Sequence, residues 1–240
     1  MKTLWLELIY KPLYNALIFF VDHVPDYSIF ISVIILTIIV RLIISPLSYK
    51  SIKTQLKTKA LAPKLSEIKK KFTDKQEQAK KTLELYKEHK VNPFSSFLLM
   101  LVQLPIILAL YWVFKDISDG IDITLLYSFI IEPETINMTT FGLNLSNKSY
   151  ILAFLAGFTQ YIYLSFASTM KKDKDDSGKS EQEKMMAMVG QSMKYTMPVM
   201  ITVFAYIIGG AVALYWVTSN IFMILQELYI QKKLKIKKQA

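Results

Sequence analysis

The chain has 240 residues, 52% of them hydrophobic, and carries 29 Lys+Arg against 19 Asp+Glu for a formal net charge of +10. Several apolar runs exceed 18 residues and the mean hydropathy is positive, which points away from a soluble domain and toward a polytopic helical membrane protein. There is no cysteine, which excludes disulfide and thiol chemistry, and the only two histidines, His23 and His89, are too far apart to make a metal-ligand cluster.

The expected fold is all-α, a polytopic membrane protein with five transmembrane helices, a cytoplasmic helical hairpin and an exterior N-terminal amphipathic helix. Residues 1–24 do not read as a signal peptide, because Glu7 and Lys11 interrupt the apolar run and no small-residue cleavage site follows. Leu4, Trp5, Leu8 and Ile9 share one helical face, and Pro12 can open a second short helix through Phe20. This predicts an amphipathic helix in the membrane interface, with a frayed terminus as the alternative. Pro25 breaks the chain before the first span, read as 25–49.

That span contains Arg41, the only arginine; the other 28 of the 29 basic residues are lysines, outside the apolar runs or at their ends. A guanidinium stays charged where a lysine could lose its proton, and it offers five donors in a fixed fork. A cation at mid-membrane costs about 2.5–3.5 kcal/mol on the lenient insertion scale and marks pathways and binding sites. Two readings stand. Arg41 is five residues before Pro46, so it could snorkel to the near interface. Thr37, Arg41, Ser45 and Ser48 also fall on one helical face, which predicts a wet groove.

Residues 50–92 hold thirteen lysines against Glu67, Asp74, Glu77, Glu84 and Glu88. Leu61, Leu65, Ile68 and Phe72 recur at helical spacing, with Leu83 and Tyr86 to answer them, and Thr73-Asp74 reads as a turn and cap. This predicts a basic helical hairpin, or alternatively a solvated linker. The second span, 93–115, carries Gln103-Leu104-Pro105. The loop 116–148 is acidic and is read as exterior; its N-x-[ST] triplets at Asn137, Asn144 and Asn147 are read as chance.

The third span, 149–170, sets Ala153, Ala156, Gly157, Gln160, Leu164 and Ala167 on one side, allowing close helix approach with Gln160 as a polar group at mid-depth. A cytoplasmic loop is expected over 171–191, disordered over 171–184 for want of large apolar residues. Spans four and five, 192–208 and 209–230, meet at Gly209-Gly210, and a basic tail follows over 231–240. Trp216, Asn220, Met223 and Glu227 share a face of the last span. The methionines at 185, 186, 188, 193, 197 and 200 are either ordinary span packing or a soft surface for varied apolar partners. The distribution of lysine gives one orientation, with the N-terminus outside and the C-terminus cytoplasmic.

Arg41 in a first span, the hairpin segment LAPKLSEIKKKF (61–72), NPFSSFLLMLVQLPIILALYWVF (92–114) and MKYTMPVMITVFAYIIGGAVALYWVTSNIFMILQELYI (193–230) together resemble the YidC/Oxa/Alb family of membrane protein insertases. The pairing of NP…Q-x-P-I…ALY with KY-x-MP…LYW-x-x-SN is specific in combination, where either part alone is weak. The resemblance covers nearly the whole chain. It implies a membrane protein insertase and chaperone, with a positively charged hydrophilic groove open to cytoplasm and lipid but closed outside. Family members insert and fold other membrane proteins, alone or beside the general translocon, and receive some clients from ribosomes. The implied partners are thus nascent client membrane proteins, the ribosome, the general translocon and membrane lipids, with no specific nucleic-acid sequence.

By motif, the family's groove arginine is Arg41, and Gln160 and Trp216 fall where the family lines its groove; the third and fifth spans become the lipid-side exit. With the polar residues read above, the expected client-binding groove is Arg41, Thr37, Ser45, Gln160, Trp216, Asn220 and Gln103. No catalytic residue, metal or cofactor is expected. The extra span, large exterior domain and lipoprotein signal of some bacterial members are not seen, so roles of that domain are not expected, and the short tail weakens stand-alone ribosome docking. The lack of an arginine-rich presequence favours a bacterial plasma membrane. A structural assembly factor and a small-anion transporter that binds through Arg41 are the alternatives; the second lacks a detectable internal repeat. There is no Walker sequence and no G-x-S-x-G or H-E-x-x-H motif for an enzyme.

Overall fold

Long stretches of good helix formers become long helices here, and prolines inside apolar runs do not end them. The fold is seen in a computed structural model that describes residues 2–92, 95–167 and 181–239. Nine α-helices are present among the described residues. A π-turn, Leu6–Tyr10, joins α1 (Lys2–Trp5) to α2 (Lys11–His23), and α3 (Ile29–Ala60), α4 (Ala62–Lys71), α5 (Lys75–Glu88) and α6 (Ser95–Asp119) follow. The strands β1 (Thr139–Thr140) and β2 (Leu143–Asn144) form a minimal antiparallel hairpin before α7 (Tyr150–Ala167), α8 (Glu181–Ile208) and α9 (Gly210–Gln239).

By length and composition three helices can cross a membrane among the described residues: Ile29–Thr58, Leu101–Asp119 and Gly210–Lys233. Tyr150–Phe166 and Lys194–Ile208 are shorter apolar helices. Several helices outrun the boundaries read from sequence. α3 passes through Pro46 and ends at Ala60 rather than 49; proline inside a membrane helix is tolerated because neighbouring groups take up the freed carbonyl, and the Lys, Gln, Leu and Ala that follow favour helix. α8 starts at Glu181, within the stretch read as loop, because Glu, Gln, Lys and Met are also good helix formers. The disorder expected over 171–180 lies outside the described residues, as do Pro93, Phe94 and the side chains of Met185, Met186, Met188 and Met193.

α3 buries polar as well as apolar residues: Ser32, Thr37, Arg41, Ser48 and Ser51 are buried, as are Val33, Leu36, Val40 and Ile44, while Leu42 is 56% and Ile43 73% exposed. Apolar side chains turned outward and polar ones turned inward suit a hydrocarbon solvent. Exposed apolar faces recur on α6 (Leu104, Leu108, Trp112), α7 (Phe154, Phe158), α8 (Val199, Val203, Phe204) and α9 (Ile221, Leu225).

The chain divides into two units, Met1–Leu42 with Pro105–Tyr229, and Ile43–Leu104 with Ile230–Ala240. In the first, the N-terminal helix buries Tyr10, Tyr14, Leu17, Ile18 and Val21, spaced i, i+4, i+7, i+8 and i+11 along one face. Leu4 and Leu8, from the face read in the sequence, are exposed. The π-turn between them inserts an extra residue per turn and rotates the face.

The 120–149 loop is fixed to three helices of this unit. The Asn15 amide nitrogen donates to the Leu125 carbonyl at 2.9 Å, and its oxygen accepts from the Tyr127 N–H at 2.6 Å. The Tyr10 hydroxyl donates to the Asp116 carboxylate, and the Asp122 N–H donates to the Tyr14 hydroxyl at 2.8 Å. Burial, then the hydrogen bond to Asp116 and its charge, hold the Tyr10 phenol well above its ordinary titration range. Asn137 exchanges backbone bonds with Tyr27 and Ile29 at the start of α3, and the N–H groups of Gly210 and Ala211 donate to Asn147 and Leu145 at the start of α9. A Cβ at Gly210 would stand 3.0 Å from the Asn147 carbonyl oxygen. Gly209, at φ 126°, makes the turn between α8 and α9 that a side chain would strain. Gly157 lets α7 lie against α8: an added Cβ would fall 1.8 Å from Thr202 Oγ1 and 2.8 Å from the Pro198 carbonyl oxygen.

In the second unit α4 and α5 pack through Leu61, Leu85 and Val91, with Leu65, Ile68 and Tyr86 against them. Asp74 caps α5 by accepting from the Gln76 N–H at 3.1 Å. Leu83 is exposed; Leu85 fills the position read for it, because it lies beside Tyr86 on the inner face.

Candidate functional site

Polar side chains buried in an apolar helix must either bond their own helix or reach a neighbour. The Ser32 hydroxyl donates to the Ser28 carbonyl at 2.9 Å and Thr37 to the Val33 carbonyl at 2.6 Å. Both are satisfied within α3. A guanidinium cannot do the same, because its donors lie far from its own backbone. Arg41, 5% exposed, instead reaches α9, where its Nε donates to Ser219 Oγ at 2.5 Å. Among the described residues its two terminal nitrogens meet no hydrogen-bond acceptor.

α9 continues the polar cluster. Ser219 and Asn220 are both buried. The Asn220 amide nitrogen donates to the Ala156 carbonyl at 3.2 Å and to Thr159 Oγ1 at 3.1 Å, joining α9 to α7. Thr159 itself donates to the Leu155 carbonyl at 2.8 Å. The next residue on α7, Gln160, is 8% exposed, and among the described residues its amide has no hydrogen-bond partner. One turn beyond Thr159 on α7 stands Tyr163. Glu227, on α9, is buried as well.

Of the seven residues expected from sequence, Arg41, Thr37, Gln160, Trp216 and Asn220 belong to the first unit. Arg41 and Asn220 are engaged through adjacent positions on α9, Trp216 is half-buried one turn before Asn220, and Thr37 bonds only its own helix. Ser45 and Gln103 belong to the second unit, each half-buried and each with interactions of its own. Ser219, Thr159 and Tyr163 were not singled out. Ser219 stood in the SN motif beside Asn220, and Thr159 beside Gln160, so adjacency to a selected residue was the available signal. Among the described residues no three His, Asp or Glu side chains gather to hold a metal ion.

A buried donor left without an acceptor costs about 1–3 kcal/mol, and more when it is charged. The Arg41 fork and the Gln160 amide therefore favour an incoming acceptor, most strongly a carboxylate, which a guanidinium binds with two parallel charge-assisted bonds.

The sequence matches the family described as 60Kd inner membrane protein over residues 19–239. It is similar to the membrane protein insertase YidC of Oceanobacillus iheyensis, 34% identical over 213 residues, covering 87% of this chain and 76% of that one. The membrane protein insertase YidC of Fusobacterium nucleatum is 32% identical over 228 residues, covering 94% of this chain and 98% of that one. That of Clostridium tetani is 30% identical over 217 residues, covering 90% and 87%.

Proposed function

Because the chain belongs to the YidC family of membrane protein insertases, we propose that it inserts client membrane proteins and helps them fold through a positively charged hydrophilic groove open to cytoplasm and lipid. The observation that carries this reading is Arg41, buried, anchored at Nε on Ser219 and with its terminal nitrogens toward no protein acceptor among the described residues. Thr37, Gln160, Trp216 and Asn220, all of the first unit, complete the groove.

α3, α6, α7, α8 and α9 are its five spans. Each exposes large apolar side chains of the kind lipid solvates, and the 18 residues of α7 rise about 27 Å, close to the hydrocarbon thickness. The N-terminus is outside and the C-terminus cytoplasmic in the bacterial plasma membrane, as the lysine-rich segments require. The paired helices α4 and α5 are then a basic cytoplasmic hairpin, which suits a ribosome or translocon partner.

Insertion needs no enzyme chemistry. A client's polar segment must cross about 30 Å of hydrocarbon, and a polar site inside the bundle shortens that path. The Arg41 fork takes a client carboxylate, which trades one hydration shell for paired bonds. An anion moving outward gains roughly 2.3 kcal/mol per charge per 100 mV of membrane potential, and the client helix then leaves for lipid. A photo-crosslinker at Gln160 should trap a client helix during insertion. A crosslinker at Phe154, on the exposed side of α7, that captures the client while Gln160 captures none would contradict the groove.

A further inference from the structure

An aromatic side chain held out on a loop is costly in water, and one here also sits on an unfavourable backbone. Phe141 is the most exposed large apolar side chain among the described residues, at 85%. It stands at the tip of the β1–β2 hairpin, where Thr140 pairs with Leu143 across two residues. Those two, Phe141 and Gly142, have φ of 54° and 74°, the left-handed pair of a two-residue hairpin turn whose first position favours Asn, Asp or Gly. A bulky aromatic there is an outlier, and such strain persists where the surroundings impose it and a function uses it. The surroundings do impose it. The Ser28 and Thr140 hydroxyls hydrogen-bond at 2.9 Å, the Ile29 N–H donates to the Asn137 carbonyl at 3.1 Å, and the Asn137 N–H donates to the Tyr27 carbonyl at 3.0 Å. The Phe141 ring meets Phe30 edge-on, with centroids 5.7 Å apart, and Phe30 is the second residue of α3.

We propose that the Phe141 hairpin is an anchor in the outer leaflet of the membrane, at the boundary between lipid headgroups and acyl chains. This rests on the reading of α3 as a span whose N-terminal end is outside. Level decides the occupant. Phe30 stands in the first turn of a helix that goes on to expose Ile38 and Ile39, so a ring against Phe30 is where lipid begins. Other helices carry interfacial chemistry at the same end. The loop that bonds the start of α3 through Asn137 bonds the start of α9 through Asn147. Next to Asn147, Lys148 lies over the Tyr206 ring at 5.6 Å, and Tyr206 stacks at 4.4 Å on Tyr150, the first residue of α7. Tyrosine and lysine gathered at helix ends mark a membrane–water interface. A stable protein partner would need about 800 Å² on this side, far more than one ring on a two-residue turn presents. The anchor fixes the height of the loop that ties the starts of α3 and α9, the helices that carry Arg41 and Ser219.

The chain has no cysteine, so a single introduced one takes a spin label cleanly. The full chain is labelled in turn at Phe141→Cys, at Phe30→Cys and at the exposed Asp119→Cys, and reconstituted in liposomes of phosphatidylcholine and phosphatidylglycerol. Collisions with oxygen, which concentrates in lipid, and with a nickel chelate, which stays in water, give the depth of each label. The labels at 141 and 30 should favour oxygen and the label at 119 should favour nickel. Oxygen at 30 with nickel at 141 would overturn the anchor and leave α3 as a span; nickel at both would overturn the anchor and the span reading together. A second variant guards against a distorted tip. Phe141→Asn suits this turn and removes the ring, so a label at Thr139→Cys, exposed on the same strand, should gain nickel collisions when Phe141→Asn is added. Unchanged collisions would overturn the proposal. Client insertion is scored in the same liposomes. A label at 141 in lipid without insertion removes the insertase reading and leaves the anchor; insertion with that label in water does the reverse.

Discussion

Arg41 divides its donors between two tasks. Nε is spent on Ser219, and the terminal nitrogens remain for an acceptor. A lysine has one ammonium head, which must either replace the Ser219 bond or meet the client. Arg41→Lys keeps the charge yet loses the fork, so it should weaken binding of an acidic-flanked client peptide about ten-fold, the worth of one charge-assisted hydrogen bond. Affinity equal to the parent would mean that charge alone matters. The sequence made this residue visible because it is the sole arginine and lies in an apolar run. The choice between snorkelling and burial was not legible, since it depends on which helix comes to meet the side chain. Ser219 decides that, and a serine next to an asparagine carries no label of its own.

At the scale of elements, close approach and register do most of the work. Any Cβ at Gly157 meets Thr202 Oγ1 and the Pro198 carbonyl oxygen. Gly157→Ala should therefore cost about 1–3 kcal/mol in thermal unfolding, and adding Thr202→Ala should recover part of that loss. Unfolding of Gly157→Ala at the parent temperature would show that α7 and α8 are not so close. The small-residue side of α7 was legible from Ala153, Ala156 and Gly157, because spacing alone places them on one face. The inner face of the N-terminal helix was not. The face of Leu4, Trp5, Leu8 and Ile9 was read as the side toward the membrane interface, and Leu4 and Leu8 are exposed; the buried face from Tyr10 to Val21 was not singled out, and the π-turn at Leu6–Tyr10 shifts the phase between the two.

That helix is also held by a titratable group. The ordinary tyrosine value is 10.0, and Tyr10 is raised above it by burial and by Asp116. A raised folded value favours the protonated phenol in the folded state. Its contribution is therefore complete below pH 10 and is lost as pH rises from there toward the folded value. Stability of the parent should fall more steeply above pH 10 than that of Tyr10→Phe. Parallel curves would show that the Tyr10–Asp116 bond does not hold the helix.

For the whole molecule, composition and apolar run length were enough to read a helical membrane protein, because lipid leaves the backbone few other ways to pair. Helix ends were less legible. Pro46 and Pro198 sit inside continuous helices, and the β-hairpin at 139–144 depends on pairing that no helical pattern encodes. The central claim is that a buried arginine in a bundle of apolar helices moves the charged segments of clients across a membrane. The direct measurement is insertion of a single-span client with an acidic exterior tail into liposomes that hold only this protein, with no ATP. The account predicts insertion by the parent, and a drop of roughly ten-fold or more for Arg41→Ala that is much smaller for a client with a neutral tail. Equal insertion of the acidic client by parent and Arg41→Ala, or none by well-folded parent, would contradict it.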